Sequence, residues 1–188
     1  MPLSKGDWTE AALVALASDG LSSVAVEPLA RRLGATKGSF YWHFADRAEL
    51  IAATLQLWEQ RATTETIARI QAICDPRERL EKLAAGAYAG AVTGNAYAAL
   101  LAAASDVRVQ KVLERVTRTQ LAFLEELYGD LGLPPDRARR HARLAYALYL
   151  GMGELRHADP DSDLTGPELD AYLKLAVDTV IPRDRAHR

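Results

Sequence analysis

The residues best suited to chemistry lie between positions 36 and 47, where hydrogen-bond donors and aromatic side chains follow one another closely. Lys37 and Tyr41 are four residues apart, and Trp42 and His43 come directly after them. On a helix, a spacing of four places two side chains on the same side. A cation, a phenol, an indole and an imidazole can donate hydrogen bonds or stack, and phosphates and base edges require such groups. The pattern therefore predicts a nucleic-acid contact.

The stretch before this cluster has the pattern of a short helix followed by a tight turn. Pro28 suits the first turn of a helix over residues 26–33 because its missing N–H costs little there. Gly34 can adopt the positive φ that often ends a helix, and Thr36 can cap the next helix with its hydroxyl. A connection of about three residues between two short helices is typical of a helix-turn-helix.

The second short helix has two different faces. Phe40 and Phe44 are four residues apart and are expected in the core, whereas Lys37 and Tyr41 lie opposite. The alternative is that Tyr41 and Trp42 are themselves core aromatics. Gly38 has no side chain and would allow the backbone to approach DNA closely.

These residues together resemble the DNA-binding domain of the TetR family of transcriptional regulators. The resemblance covers about residues 8–50, and the remainder of the chain is similar only in helical architecture and length. The matching residues are Leu29-Ala30, Leu33-Gly34-Ala35-Thr36, Lys37-Gly38, Tyr41, His43-Phe44, Arg47 and Leu50.

The resemblance implies a set of DNA contacts. Tyr41, His43 and Arg47 are expected on phosphates, and Lys37, Ser39 and Trp42 on base edges. The sequence departs from the family in two places: Ala25 stands where a capping Thr or Ser is usual, and the short N-terminal arm offers only Lys5 for a minor-groove contact. The full expected set is Thr36, Lys37, Gly38, Ser39, Tyr41, Trp42, His43 and Arg47.

Helical periodicity continues through almost the whole chain, so the predicted fold class is all-α. A three-helix helix-turn-helix domain is expected at residues 1–46, a six-helix effector-binding and dimerisation domain at 47–182, and a flexible tail at 183–188. The nine helices are predicted at 4–19, 26–33, 37–43, 47–73, 77–93, 96–104, 107–130, 136–157 and 167–181.

The last two helices carry long apolar stripes. The resemblance implies that they pair with the same helices of a second copy, and packing within the chain is the alternative. Leu144 begins the stripe of helix eight. The residues expected at the dimer interface are Leu148, Gly151, Met152, Leu155, Leu169, Tyr172, Leu173, Ala176, Val177 and Val180.

The middle helices are rich in alanine and glycine, which either permit tight packing or leave a cavity. A cavity would be mainly apolar with a few polar points and would suit an apolar or aromatic small-molecule effector. The residues expected to line it are Trp58, Tyr88, Asn95, Tyr97, Phe123, Tyr146 and Tyr149.

The composition of the chain limits the classes of function that it can have. The 23 Lys and Arg against 25 Asp and Glu give a net charge of −2, so DNA binding must rely on a local patch. The single cysteine, Cys74, permits no disulfide within one chain, and the four histidines lack ligand-like spacing. We expect no cofactor, no metal and no enzymatic activity. We also expect no membrane partner, because the apolar runs are about half the length of a bilayer span. A cytoplasmic location is expected.

These expectations combine into a ligand-responsive transcriptional repressor. It would bind a near-palindromic double-stranded DNA operator as a homodimer and be released by a small-molecule effector. Two alternatives remain open: a helical enzyme or ligand-binding protein with a vestigial helix-turn-helix, and a constitutive DNA binder without an effector.

Overall fold

The computed structural model describes residues 3–93, 96–159 and 164–182, except for the side chains at 88–93, 156 and 157. The described residues form helices and no strands, so the predicted all-α class is confirmed. The fourth helix has three consecutive segments, and when these are taken together the described residues form nine helices. They are α1 Lys5–Asp19, α2 Val26–Arg32, α3 Lys37–Tyr41, α4 (Arg47–Gln60, π-helical Arg61–Glu65 and Thr66–Gln71), α5 Pro76–Thr93, α6 Ala96–Ala102, α7 Val107–Asp130, α8 Pro135–Ala158 and α9 Gly166–Val180.

Most helices begin and end within two residues of their predicted bounds, and two differences affect the local structure. Helix α3 ends at Tyr41 rather than 43, because the chain turns there to bring Phe44 into the core. The N–H groups of both His43 and Phe44 donate to the carbonyl of Phe40, at 2.9 and 3.0 Å. Helix α4 has a π-helical segment that the periodicity does not indicate. The hydroxyl of Thr63 donates to the Glu59 carbonyl there at 2.6 Å, a back-bond of the kind that perturbs helices.

The first of two compact units comprises residues 1–65 and 94–117. Within it, α1 packs against the first part of α4 and against α6. Its core contains fully buried side chains from each part of the unit, including Trp8 and Leu16 from α1, Leu29 from α2 and Val109 from α7. This core is what holds the short helices α2 and α3, which are too short to be stable alone.

The second compact unit comprises residues 66–93 and 118–188, and α5 packs there against α8 and α9. Its core includes Ile70, Phe123, Leu127 and Tyr128. The Tyr128 hydroxyl, wholly buried, donates to the Val180 carbonyl at 3.0 Å and so ties α7 to the end of α9. Burial raises the pKa of Tyr128, which keeps this donor protonated.

The two compact units are defined by packing, whereas the domains predicted from the sequence are defined by function. The start of α4 packs with the helix-turn-helix, although the functional boundary is expected between residues 46 and 47. That boundary stays a prediction, and the expected tail at 183–188 lies outside the described residues.

Candidate nucleic-acid interface

The turn between α2 and α3 is built by backbone hydrogen bonds that require a glycine. Gly34 has φ +61°, a left-handed conformation that side chains with a Cβ rarely adopt. The N–H of Gly34 donates to the Arg31 carbonyl at 3.3 Å, and that of Ala35 to the Ala30 carbonyl at 2.8 Å. This pair of bonds is a Schellman motif, which confirms the predicted role of Gly34.

The two short helices begin differently. Thr36 caps α3, since its hydroxyl accepts from the N–H of Ser39 at 3.3 Å, as the sequence predicts. Helix α2 has no side-chain cap, because Ala25 occupies the cap position.

The predicted division of α3 into two faces is confirmed. Phe40 and Phe44 are buried, with ring centroids 5.4 Å apart, and the ring of Trp8 meets Phe40 edge-on at 5.4 Å. On the other side Tyr41 is 61% exposed and Trp42 is 87% exposed. The alternative that Tyr41 and Trp42 are core aromatics is therefore wrong, and both rings are available to a partner in solution.

Lys37 forms an ion pair with Glu27, near the start of α2. Its hydrogen bond and charge hold the pKa of the Glu27 carboxyl below its usual value. Both side chains are about 60% exposed, and exposed pairs contribute at most about 1 kcal/mol to stability. A phosphate or a base edge can therefore compete with Glu27 for Lys37.

Gly38 is not required by the fold. A Cβ placed there would lie 3.6 Å from the Thr36 hydroxyl oxygen, an ordinary van der Waals distance. The absence of a side chain therefore has no explanation within the chain itself. The predicted close approach of DNA at Gly38 stays a prediction, and this space is consistent with it.

Arg47 makes contacts that the sequence does not indicate. Its Nε donates to the Val24 carbonyl at 2.6 Å and its Nη2 to the Leu21 carbonyl at 2.9 Å. Both acceptors lie more than 20 residues earlier, so no local pattern could reveal them. Ser39 and His43, the remaining members of the expected set, are half-buried, and their contacts with DNA stay predictions.

The first turn of α4 also holds the start of α1. Lys5 lies 2.7 Å from a Glu49 carboxylate oxygen and 4.8 Å from the centre of the Phe44 ring. Glu49 also accepts from the N–H of Ala45 at 2.8 Å, and Asp46 caps α4 by accepting from the N–H of Glu49 at 2.8 Å. The Asp46-x-x-Glu49 spacing is a sequence signal that could have identified Glu49. Lys5, expected in the minor groove, is thus paired with Glu49.

The residues expected to line an effector cavity fall into two groups. Trp58 and Tyr97 belong to the first unit, with ring centroids 6.2 Å apart. Tyr146 and Tyr149 belong to the second unit, 6.1 Å apart, and Phe123 is buried in the same core. The side chain of Tyr88 and all of Asn95 lie outside the described residues. One cavity lined by the whole set stays a prediction.

The residues expected at a dimer interface also divide by exposure. Met152, Ala176 and Val180 are buried within their own chain. Leu155 is 68% exposed, and Gly151 is exposed as well. The half-buried members are Leu148, Leu169, Tyr172, Leu173 and Val177. Two further leucines outside the expected set are more than half exposed, namely Leu144 on α8 and Leu175 on α9.

Across residues 3–93, 96–159 and 164–182, no three His, Cys, Asp or Glu side chains are grouped so that they could hold a metal ion. Among the helices formed by those same residues, none has both the length and the apolar character needed to span a bilayer.

Comparison with known proteins shows what the helix-turn-helix and the whole fold are similar to. Residues 9–54 match the model of bacterial regulatory proteins of the tetR family. A TetR transcriptional regulator from Legionella pneumophila is 14% identical, with a TM-score of 0.79 over 97% of this chain and 100% of that one. A transcriptional regulator from Rhodococcus sp. Rha1 is 20% identical, with a TM-score of 0.72 over 95% and 94%.

A third solved structure has a more specific description. NalD, the secondary repressor of the MexAB-OprM multidrug efflux pump in Pseudomonas aeruginosa, is 20% identical, with a TM-score of 0.64 over 94% of this chain and 92% of that one. The helix-turn-helix match and the shared fold together confirm the resemblance to the TetR family.

Proposed function

We propose that this chain, which has the TetR fold and a tetR-type helix-turn-helix, binds double-stranded DNA as a homodimer and represses transcription until a small-molecule effector releases it. The observation that carries DNA binding is the pair of exposed rings of Tyr41 and Trp42. They lie at the end of α3 and directly after it, and the neighbouring rings of Phe40 and Phe44 anchor this part of the chain in the core. An anchored backbone holds such donors in place, as suits Tyr41 on a phosphate and Trp42 on a base edge.

Local charge supports the same surface. Between residues 28 and 45 the sequence has three cations, Arg31, Arg32 and Lys37, and no acidic residue. One of the three is paired with Glu27, so the electrostatic attraction to DNA is modest. Specific contacts from Tyr41 and Trp42 must then supply much of the affinity.

Exposed leucines support a homodimer. Leu144, Leu148, Gly151 and Leu155 are spaced by four, three and four residues along α8, which places them on one face. Leu175 is exposed on α9, the second helix expected in the interface. A second copy that covered this apolar face would remove it from water. Two helix-turn-helix domains on such a dimer would read half-sites about 34 Å apart or somewhat more.

Helix α4 is the element through which an effector would act. Its first turn carries Arg47 and Glu49, which contact the helix-turn-helix, and the same helical segment carries the buried ring of Trp58. A ligand seated against Trp58 would therefore bias the position of a helix that contacts the DNA-binding domain. The aromatic character of the expected lining suits a mainly apolar ligand.

The first experiment is selection of duplexes from a random DNA library with purified protein at near-physiological salt. We expect enrichment of a two-fold symmetric site. The Tyr41→Ala/Trp42→Ala variant should fold normally and enrich no site. Val14→Ala, a substitution at an exposed position on α1, should enrich the same site as the wild type. If the double variant and the wild type select the same site, α3 is not the recognition element.

The effector is tested separately, by thermal shift with apolar, aromatic and charged small molecules. Stabilisation by apolar or aromatic compounds, together with release from the selected DNA, is the expected result. Stabilisation by charged metabolites alone would contradict an apolar effector. DNA binding that no compound alters would favour a constitutive DNA binder.

A further inference from the structure

The start of α2 lacks a side-chain cap. Ala25 has no side chain that could accept from the first N–H groups of α2. The segment before it is a short 3₁₀ turn, Leu21–Ser23, without a side-chain cap. Its local hydrogen bonds, such as those from the Ser23 hydroxyl to the Gly20 carbonyl at 2.7 Å and from the Ala25 N–H to the Ser23 carbonyl at 2.8 Å, stay within the segment and do not fix it against α4.

Arg47 supplies that constraint from α4. Its Nε and Nη2 donate to two carbonyls of this segment, those of Val24 at 2.6 Å and Leu21 at 2.9 Å. Because the guanidinium is planar and its N–H groups have fixed directions, two bonds define both the distance and the angle between the segment and α4. A lysine ammonium donates from one nitrogen whose three N–H groups rotate freely, so it could not define the angle.

We infer that Arg47 is a positioning residue for DNA recognition rather than a phosphate ligand. It clamps residues 21–24 to the first turn of α4, fixes the start of α2, and through α2 sets the orientation of α3. The clamp acts in place of the missing cap at Ala25. This inference rests on the proposed DNA binding, since α3 is taken as the recognition helix.

The decisive variant is Arg47→Lys, which keeps the positive charge and removes the two-bond geometry. Affinity is measured over a salt series for the selected operator and for an unrelated duplex of the same length. Arg47→Gln, which removes charge and clamp together, and Arg31→Gln, which removes an exposed cation from α2, complete the set.

We expect Arg47→Lys to bind the operator about tenfold more weakly, a loss in the range of one charged hydrogen bond. Its affinity for the unrelated duplex and its salt dependence should match the wild type, because the charge is retained. If Arg47 only stabilised the fold, the ratio of the affinity for the operator to the affinity for the unrelated duplex would not change below the melting temperature. Arg47→Gln should lower this ratio of affinities by about the same factor.

A phosphate contact predicts the opposite pattern and would overturn the inference. Arg47→Lys would then bind like the wild type, and Arg47→Gln would weaken both duplexes and lower the salt slope by about one, as expected for a phosphate-binding cation. Wild-type behaviour of both variants would overturn it as well.

A second measurement separates this inference from the proposed function. Without DNA, the clamp predicts faster hydrogen exchange at the Leu29 amide of Arg47→Lys, because that N–H makes the first α2 bond, to the Ala25 carbonyl at 3.2 Å. A wild-type protein that selects no operator would contradict the proposed function. Unchanged hydrogen exchange at Leu29 in Arg47→Lys would contradict the clamp, whatever the result with DNA.

Discussion

The helix-turn-helix and the last two helices expose different kinds of side chain. Around α3 the exposed rings are Tyr41 and Trp42, which carry a hydroxyl and an indole N–H beside their apolar surface. On α8 and α9 the exposed large hydrophobic side chains are leucines, Leu144, Leu155 and Leu175, which have no polar atom. The first surface can make directional contacts with a polar partner, whereas the second can only be covered by another apolar surface.

Under the proposed function, this difference lets one helical fold serve two kinds of recognition. In both regions one helix face is buried in the chain and the opposite face is presented to solvent. The chemistry of the presented face then decides the partner: donors and aromatic rings suit DNA, and leucines suit a second copy.

The largest effect is expected from Phe40→Ala. Phe40 is wholly buried between Trp8 and Phe44, so its removal leaves a cavity in the first core and should cost about 3–5 kcal/mol of unfolding free energy. The matched control is Trp42→Ala, two positions away and 87% exposed, which should change stability by less than about 0.5 kcal/mol. Urea unfolding measures both. Similar losses would contradict the division of α3 into a core face and a solvent face.

The next effect is expected from Leu155→Glu on the α8 surface. A carboxylate buried in an apolar interface is strongly disfavoured, so the dimer should dissociate at least about 30-fold more readily. Sedimentation over a concentration series measures this change. Val107→Glu, an equally exposed position in the other unit, should leave the oligomeric state unchanged. A Leu155→Glu protein that assembles like the wild type would rule out this face as the interface.

A smaller effect is expected from Tyr128→Phe inside the second core. The substitution removes the hydroxyl that donates to the Val180 carbonyl and leaves that acceptor unsatisfied, at a cost of about 1–3 kcal/mol. Chemical unfolding compares it with Tyr41→Phe, whose hydroxyl is on an exposed side chain and should be neutral for stability. Equal stability of both variants would show that the bond between α7 and the end of α9 contributes nothing.

The smallest effect is expected from Asp106→Asn and concerns the pH dependence of stability in the first unit. The Arg108 side chain, 2.6 Å away, and the Arg108 N–H lower the pKa of Asp106 from 3.8 to about 2. A lowered pKa stabilises the fold above the unfolded value, so this contribution is complete above about pH 4 and is lost as the pH falls toward 2. Asp106→Asn should therefore flatten the fall in melting temperature between pH 4 and 2. An unchanged profile would mean that Asp106 does not contribute to the acid sensitivity.

Much of the helix-turn-helix was predictable because its rules are local. Gly34 ends α2 through its positive φ, Thr36 caps α3, and the spacing of Phe40 and Phe44 turns one face of α3 inward. Each of these inferences needs only neighbours within five residues. The nine-helix pattern followed from periodicity in the same way, although the π-helical segment of α4 did not.

What the sequence alone determined is therefore the class of fold, the turn of the helix-turn-helix, and which face of α3 meets the core. The tertiary structure decided which distant groups meet: Arg47 clamps Leu21 and Val24, and Met152 and Val180 are buried in their own chain. The physical reason is that periodicity assigns a side chain to one side of a helix but does not say what covers that side. Only packing of segments far apart in sequence determines whether an apolar stripe is closed within the chain or left for a partner.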